Sequence, residues 1–112
     1  MRGYIFPLLL AALALPACIT EKAQEREKAD AYCYMQEQCG FADFNTCYDA
    51  ATANLEQTLY DECRGARELL LDCLGHSDCD EYLMWSESDP ETDLVYPCRD
   101  QDQLVAVACQ NE

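Results

Sequence analysis

Positive charge is scarce in this chain: seven Lys and Arg stand against 22 Asp and Glu, for a formal net charge of −15. Like charge repels, so nucleic acid and anionic membrane head groups are disfavoured as partners, and no nucleic-acid partner is expected. A basic protein, a cationic surface component or a divalent cation is electrostatically permitted. Histidine is nearly absent, with His76 alone. Serine occurs only as Ser77, Ser86 and Ser88, and no Gly-x-Ser-x-Gly turn surrounds any of them. No activated nucleophile is visible, and carboxylates are too abundant for one acid–base pair to stand out, so no catalytic residue is assigned. Strand signals are also missing. β-Branched residues are few, alternating runs are rare, and neither Asn-Gly nor Asp-Gly occurs.

Two further absences concern the cysteines. No Cys-x-x-Cys is present, which argues against a zinc ribbon and a thioredoxin-like redox pair. No Cys-x-x-Cys-His is present either, so covalent haem is excluded. After residue 17 no long apolar run follows; the strongest cluster, Leu69-Leu70-Leu71, gives way at once to Asp72. No segment of the mature chain is therefore expected to span a membrane, which takes roughly 20 apolar residues.

What the chain has in quantity is cysteine, nine in all. An odd number leaves one over. The odd residue is picked out by position: Cys18 stands behind an N-terminus unlike the rest. Met1-Arg2-Gly3 is short and positively charged, Tyr4 to Leu15 carries no charge, and Ala17 is small. That is the layout of a secretory signal, and the apolar part is too short to cross a bilayer. The remaining Cys33, Cys39, Cys47, Cys63, Cys73, Cys79, Cys98 and Cys109 are even in number, as expected of a disulfide framework in an exported small chain. Their successive gaps of 5, 7, 15, 9, 5, 18 and 10 residues do not suit metal ligation, and no metal site is assigned.

Leu15-Pro16-Ala17-Cys18 resembles the lipobox of bacterial lipoproteins. The resemblance implies a diacylglyceryl group on the Cys18 sulfur, cleavage before Cys18 and an N-acyl group on its new amino terminus; no other cofactor is expected. Several acyl chains on one residue hold a small domain on a bilayer, where a single chain binds only marginally. Ile19, in the place where lipoproteins retained at the inner membrane often carry Asp, points to the outer membrane or cell surface. The expected layout is a signal peptide at 1–17, a lipidated N-terminus and charged stalk at 18–28, and a cysteine-rich helical domain at 29–112. Loss of the leader removes Arg2 and no acid, taking the net charge from −15 to −16.

The periodicity predicts an all-α bundle of about four to five short helices. The first runs from Thr20 or Glu21 to Gln38 and ends at Gly40, in the left-handed position that favours glycine. The second runs from Phe44 or Asn45, capped by Asp43 or Asn45, to Cys63. Cys47, Ala51, Leu55, Leu59 and Cys63 form its inner stripe, and Gly65 stops it. A third covers Ala66–Leu74, with Ala66, Leu69, Leu70, Cys73 and Leu74 facing inward. A fourth, capped by Ser77 or Asp78, covers Cys79 to about Trp85 with Tyr82 and Leu83 inward. Residues 86–97 form a loop whose acids at 86–93 invite only weak cation binding, lacking the order of an EF-hand. The fifth starts near Cys98 and runs to about Gln110, with Asp100 and Asp102 at the positive end of its dipole and Leu104, Val105, Ala108 and Cys109 inward.

Helix geometry constrains the bridges. Six helical residues rise about 9 Å, beyond the span of about 7 Å between bonded α-carbons, so Cys33–Cys39 is disfavoured. Antiparallel packing of short-looped helices predicts Cys39–Cys47, Cys33–Cys73, Cys79–Cys98 and Cys63–Cys109. The lipobox, "YCYMQEQCGF", "LLDCLGHSDCDEY", "PC" and the late "AC" together resemble the small cysteine-rich helical lipoproteins of myxobacteria. The function expected is a lipid-anchored, non-enzymatic binding module of the cell envelope. An envelope-associated enzyme, a hydrolase using His76 and paired acids or a metal-dependent one, and a structural spacer without a specific ligand are the alternatives. Tyr48, Tyr60, Tyr82, Trp85 and Tyr96 are the aromatic residues available for a binding surface or for completing a small core.

Overall fold

A computed structural model of the chain describes the backbone of residues 5–112 and the side chains of residues 22–112. The expected leader at 1–17 and the lipid acceptor Cys18 lie outside the described side chains. Five helices are present, with no strand among the described residues: α1 (Ile5–Gln38), α2 (Phe44–Gln57), α3 (Asp61–Gly75), α4 (Cys79–Ser86) and α5 (Arg99–Ala108). The molecule is a small disulfide-rich helical bundle. α1 packs on both α2 and α3, α3 packs on α5, and α2 touches α3 lightly.

The turn from α1 to α2 is set by local chemistry. Gly40 adopts φ 73°, and the Phe41 and Gly40 N–H groups donate to the Gln36 and Glu37 carbonyls at 2.9 and 3.1 Å. Both bonds of a Schellman stop are thus made. The Asp43 carboxylate then accepts the Thr46 N–H at 3.1 Å and caps α2. The α1–α2 hairpin is symmetric about Gly40: Cys33 lies seven residues before it and Cys47 seven after. That symmetry places these two opposite each other, and they are bonded.

The second helix is shorter than its apolar stripe suggests. It ends at Gln57, and Thr58 and Tyr60 are extended. The stripe's continuation is broken, leaving Leu59 81 % exposed and Cys63 buried in α3 instead. No glycine or proline marks this break. Its partners are tertiary. Arg64 donates from Nε to the Leu55 carbonyl at 3.1 Å and from Nη2 to the Thr58 carbonyl at 3.0 Å. The Glu112 carboxylate accepts the Leu59 and Tyr60 N–H groups, each at 2.9 Å. Loose carbonyls of one helix and loose N–H groups before the next are thereby satisfied. Gly65, expected to stop a helix, lies inside α3. Gly75 has the role of close approach: a Cβ there would sit 3.1 Å from the Tyr32 backbone nitrogen, so α1 and α3 meet where no side chain intervenes.

The bridges are Cys33–Cys47, Cys39–Cys79, Cys63–Cys109 and Cys73–Cys98. Cys63–Cys109 is the pair expected from the sequence. The expected Cys39–Cys47, Cys33–Cys73 and Cys79–Cys98 are not formed. Hairpin symmetry gives Cys47 to Cys33 and leaves Cys39 on the turn, where the start of α4 reaches it. Cys98, held at φ 60° as the residue before α5, then meets Cys73. α5 is clamped to α3 at both ends, antiparallel, by the bonds at Cys63 and Cys73.

The apolar core is thin. Ala29, Cys33, Met35, Leu55, Cys63, Ala66, Leu74, Tyr96 and Cys98 are buried, and Leu55 is the largest side chain fully enclosed. Leu69, Leu83 and Leu104, expected to face inward, are exposed; α4 and α5 are packed from few sides, and Leu69 lies on a side of α3 that no neighbouring helix covers. A core of this size fits a fold whose helices are tied covalently.

Candidate functional site

The main concavity is a groove of about 480 Å³ with a largely apolar wall. Its floor comes from one face of α3, where Arg67, Leu70, Leu71 and Leu74 recur at helical spacing. Ala50, Ala51 and Asn54 of α2 form a second wall. Tyr32 and Gln36 of α1, Trp85 of α4 and Val105 of α5 complete it. The volume lies in the range of pockets that hold small ligands.

Polar groups sit at its two ends. Lys28 pairs with Glu68 at 2.8 Å and Tyr32 lies against Gly75, so α1 and α3 run the same way. Arg67 therefore marks the Lys28 end, and Gln36 the end beyond Gly75. Arg67 is half-buried and donates from Nη1 to the Thr58 hydroxyl at 2.6 Å. Gln36 is only 4 % exposed, yet among the described residues its side-chain amide donates only to the Met35 sulfur, at 3.8 Å. A thioether is a weak acceptor.

An aromatic cluster closes the Gln36 end. Tyr82 lies 5.3 Å from Phe41, 5.5 Å from Trp85 and 6.2 Å from Tyr32, ring centre to ring centre. Burial, with the Tyr82 hydroxyl 3.5 Å away, raises the Tyr32 phenol well above its ordinary pKa. Among the described residues the Trp85 Nε1 is buried without a hydrogen-bond partner. Tyr96 is buried elsewhere and donates to Asp102 at 2.7 Å. Tyr48 stacks on Phe44, and Tyr60 is exposed.

The other sequence candidates do not assemble into a reactive site. His76 follows α3 directly, its Nδ1 donating to the Asp72 carbonyl at 2.7 Å. Asp72 Oδ1 lies 3.7 Å from the same nitrogen, on an exposed corner. Ser77, Ser86 and Ser88 each donate to a backbone carbonyl, of Cys73, Leu83 and Met84. In the acidic loop, Asp93 accepts the Asp89 N–H and Asp89 accepts the Glu91 N–H, folding the loop on itself. Among the described residues no group of three or more His, Cys, Asp or Glu is placed to hold a metal.

Gln36 and Arg67 are polar groove residues that sequence reasoning passes over. The i, i+3, i+4, i+7 spacing of Arg67, Leu70, Leu71 and Leu74 is the available signal, a second apolar face on a helix whose first face carries Cys63, Ala66 and Cys73. No protein-family model, curated protein or solved structure matches the chain. Among the described residues no helix is long and apolar enough to cross a membrane.

Proposed function

We propose that the chain is an exported, lipid-anchored protein of the bacterial cell envelope that acts as a binding module without catalysis. The observation that carries this reading is the partition of the nine cysteines. Four bridges consume the eight from Cys33 to Cys109, and the ninth is Cys18 of Leu15-Pro16-Ala17-Cys18, behind a signal-like leader. A disulfide-dense domain suits an oxidising compartment. The groove supports binding, and the Ser77, Ser86 and Ser88 hydroxyls, each donating to a backbone carbonyl, support a role other than serine hydrolysis. Attachment through acyl chains leaves the helical domain facing the aqueous side, where its acidity keeps it off anionic head groups.

Expression in a bacterial host, followed by membrane fractionation and mass analysis of the mature N-terminus, tests this. The wild type should partition with membranes and carry an acylated Cys18. Cys18→Ser should leave the membrane fraction or retain its leader. Membrane attachment of Cys18→Ser with the same cleavage would overturn the anchor.

A further inference from the structure

We infer that the groove is the site for an anionic amphiphile, a medium-chain carboxylate whose head group meets Arg67 and whose alkyl body lies along α3; this names the ligand class of the binding module proposed above and rests on that reading. The wall between the two polar ends is apolar, built from Leu70, Leu71 and Leu74 facing Ala50 and Ala51. From Arg67 to Leu74 the helix advances about 10 Å, which sets the apolar length before the buried Gln36 amide is reached. A longer chain runs past the end of that apolar wall, where the buried Gln36 side chain already stands, and its extra methylenes leave the groove.

Charge decides the head group. The chain is acidic throughout, yet the charged side chain lining this groove is a cation. Arg67 commits Nη1 to Thr58, and its remaining N–H groups suit a carboxylate, the planar partner that guanidinium holds best. The exposed Asn54 stands on the opposite wall at the same end. A cationic ligand would meet Arg67 unfavourably.

Trp85 is the single tryptophan of the chain and lines the groove, so its emission reports occupancy. Decanoate, titrated below its micellar concentration into the purified protein, should give a saturable change in that emission. Hexadecanoate should gain less affinity than its added methylenes would supply in an open apolar site. Arg67→Gln should weaken decanoate roughly ten-fold or more, the loss of one charge-assisted contact, and leave decanol binding unchanged. Arg67→Lys should restore much of the decanoate affinity. Ala50→Phe places a ring in the groove from its exposed wall. It should abolish binding of both probes while the circular dichroism and the four-bridge mass stay as in the wild type. No saturable change with decanoate, equal decanoate binding by Arg67→Gln, or full binding by Ala50→Phe would each overturn the assignment. Failure of decanoate with Cys18-dependent membrane attachment intact would sink the ligand class alone. Decanoate binding with attachment independent of Cys18 would sink the anchor alone.

Discussion

Gly65 and Gly75 lie ten residues apart on α3 and make opposite demands. A Cβ at Gly65 meets nothing within 4 Å, so Gly65→Ala should raise stability by about 0.5–1 kcal/mol through the entropy of the unfolded chain. A Cβ at Gly75 presses on α1 backbone, so Gly75→Ala should lower stability by about 1–3 kcal/mol, the usual range for overpacking. Urea midpoints of the two variants, moving in opposite directions, check both. Titrating residues also divide. The N–H groups of Leu59 and Tyr60 hold the Glu112 carboxyl below its ordinary pKa. Its stabilisation is present above the unfolded-state pKa and is lost as pH falls through the folded value. Glu112→Gln should therefore be less stable than wild type at neutral pH and show a shallower acid-side decline. Burial, and then the hydrogen bond to Asp102, push Tyr96 up to about 12. Its contribution is complete below the unfolded value of about 10 and disappears as pH rises from there to about 12. Tyr96→Phe should flatten that alkaline decline in a series of urea titrations.

At the scale of the element, α4 packs least on the other helices and, like α5, has no buried residue. It is held by its own cap, by Cys39–Cys79 and by Tyr82. The cap is reciprocal: Asp78 accepts the Glu81 N–H at 2.8 Å and Glu81 accepts the Asp78 N–H at 3.1 Å. Asp78→Ala should cost about 0.5–2 kcal/mol of helix stability. Because α4 stands largely alone, the effect should appear as faster hydrogen exchange across residues 79–86, with α3 exchange unchanged. The caps at Asp43 and Asp78 and the stop at Gly40 were legible because each is a local device, complete within a few residues. The break at Thr58 was not. Residues 44–63 keep a four-residue apolar rhythm without a breaker, and the signals that end the helix come from Arg64 and Glu112.

The whole molecule stands on a thin core and four covalent ties. In the chain-entropy picture, the 14-residue separation of Cys33–Cys47 contributes about 3 kcal/mol and the 46-residue separation of Cys63–Cys109 about 4 kcal/mol. Replacing Cys63 and Cys109 by Ala should lower the denaturation midpoint more than replacing Cys33 and Cys47. Thermal unfolding of the two double variants at neutral pH checks the order. Loss of the longer bridge also releases the C-terminal end of α5, the helix that supplies Val105 to the groove, while Cys73–Cys98 still holds its start.

The sequence by itself determined the helical class, the even set of eight cysteines and the turn at Gly40, and narrowed the caps of α2 and α4 to two residues each. These follow from composition, parity and contacts spanning a handful of residues. Cys33–Cys47 was also within reach, since a hairpin turning at Gly40 places residues equally far from it side by side. Only the tertiary structure decided where the second helix ends, why Gly65 is carried within a helix, how Cys39, Cys73, Cys79 and Cys98 are shared out, and that Arg67 and Gln36 bracket one groove. Each of those depends on surfaces that meet across long stretches of chain, 25 to 53 residues for the bridges of Cys39 and Cys73 and the Glu112 contacts, and a local pattern holds no record of that meeting.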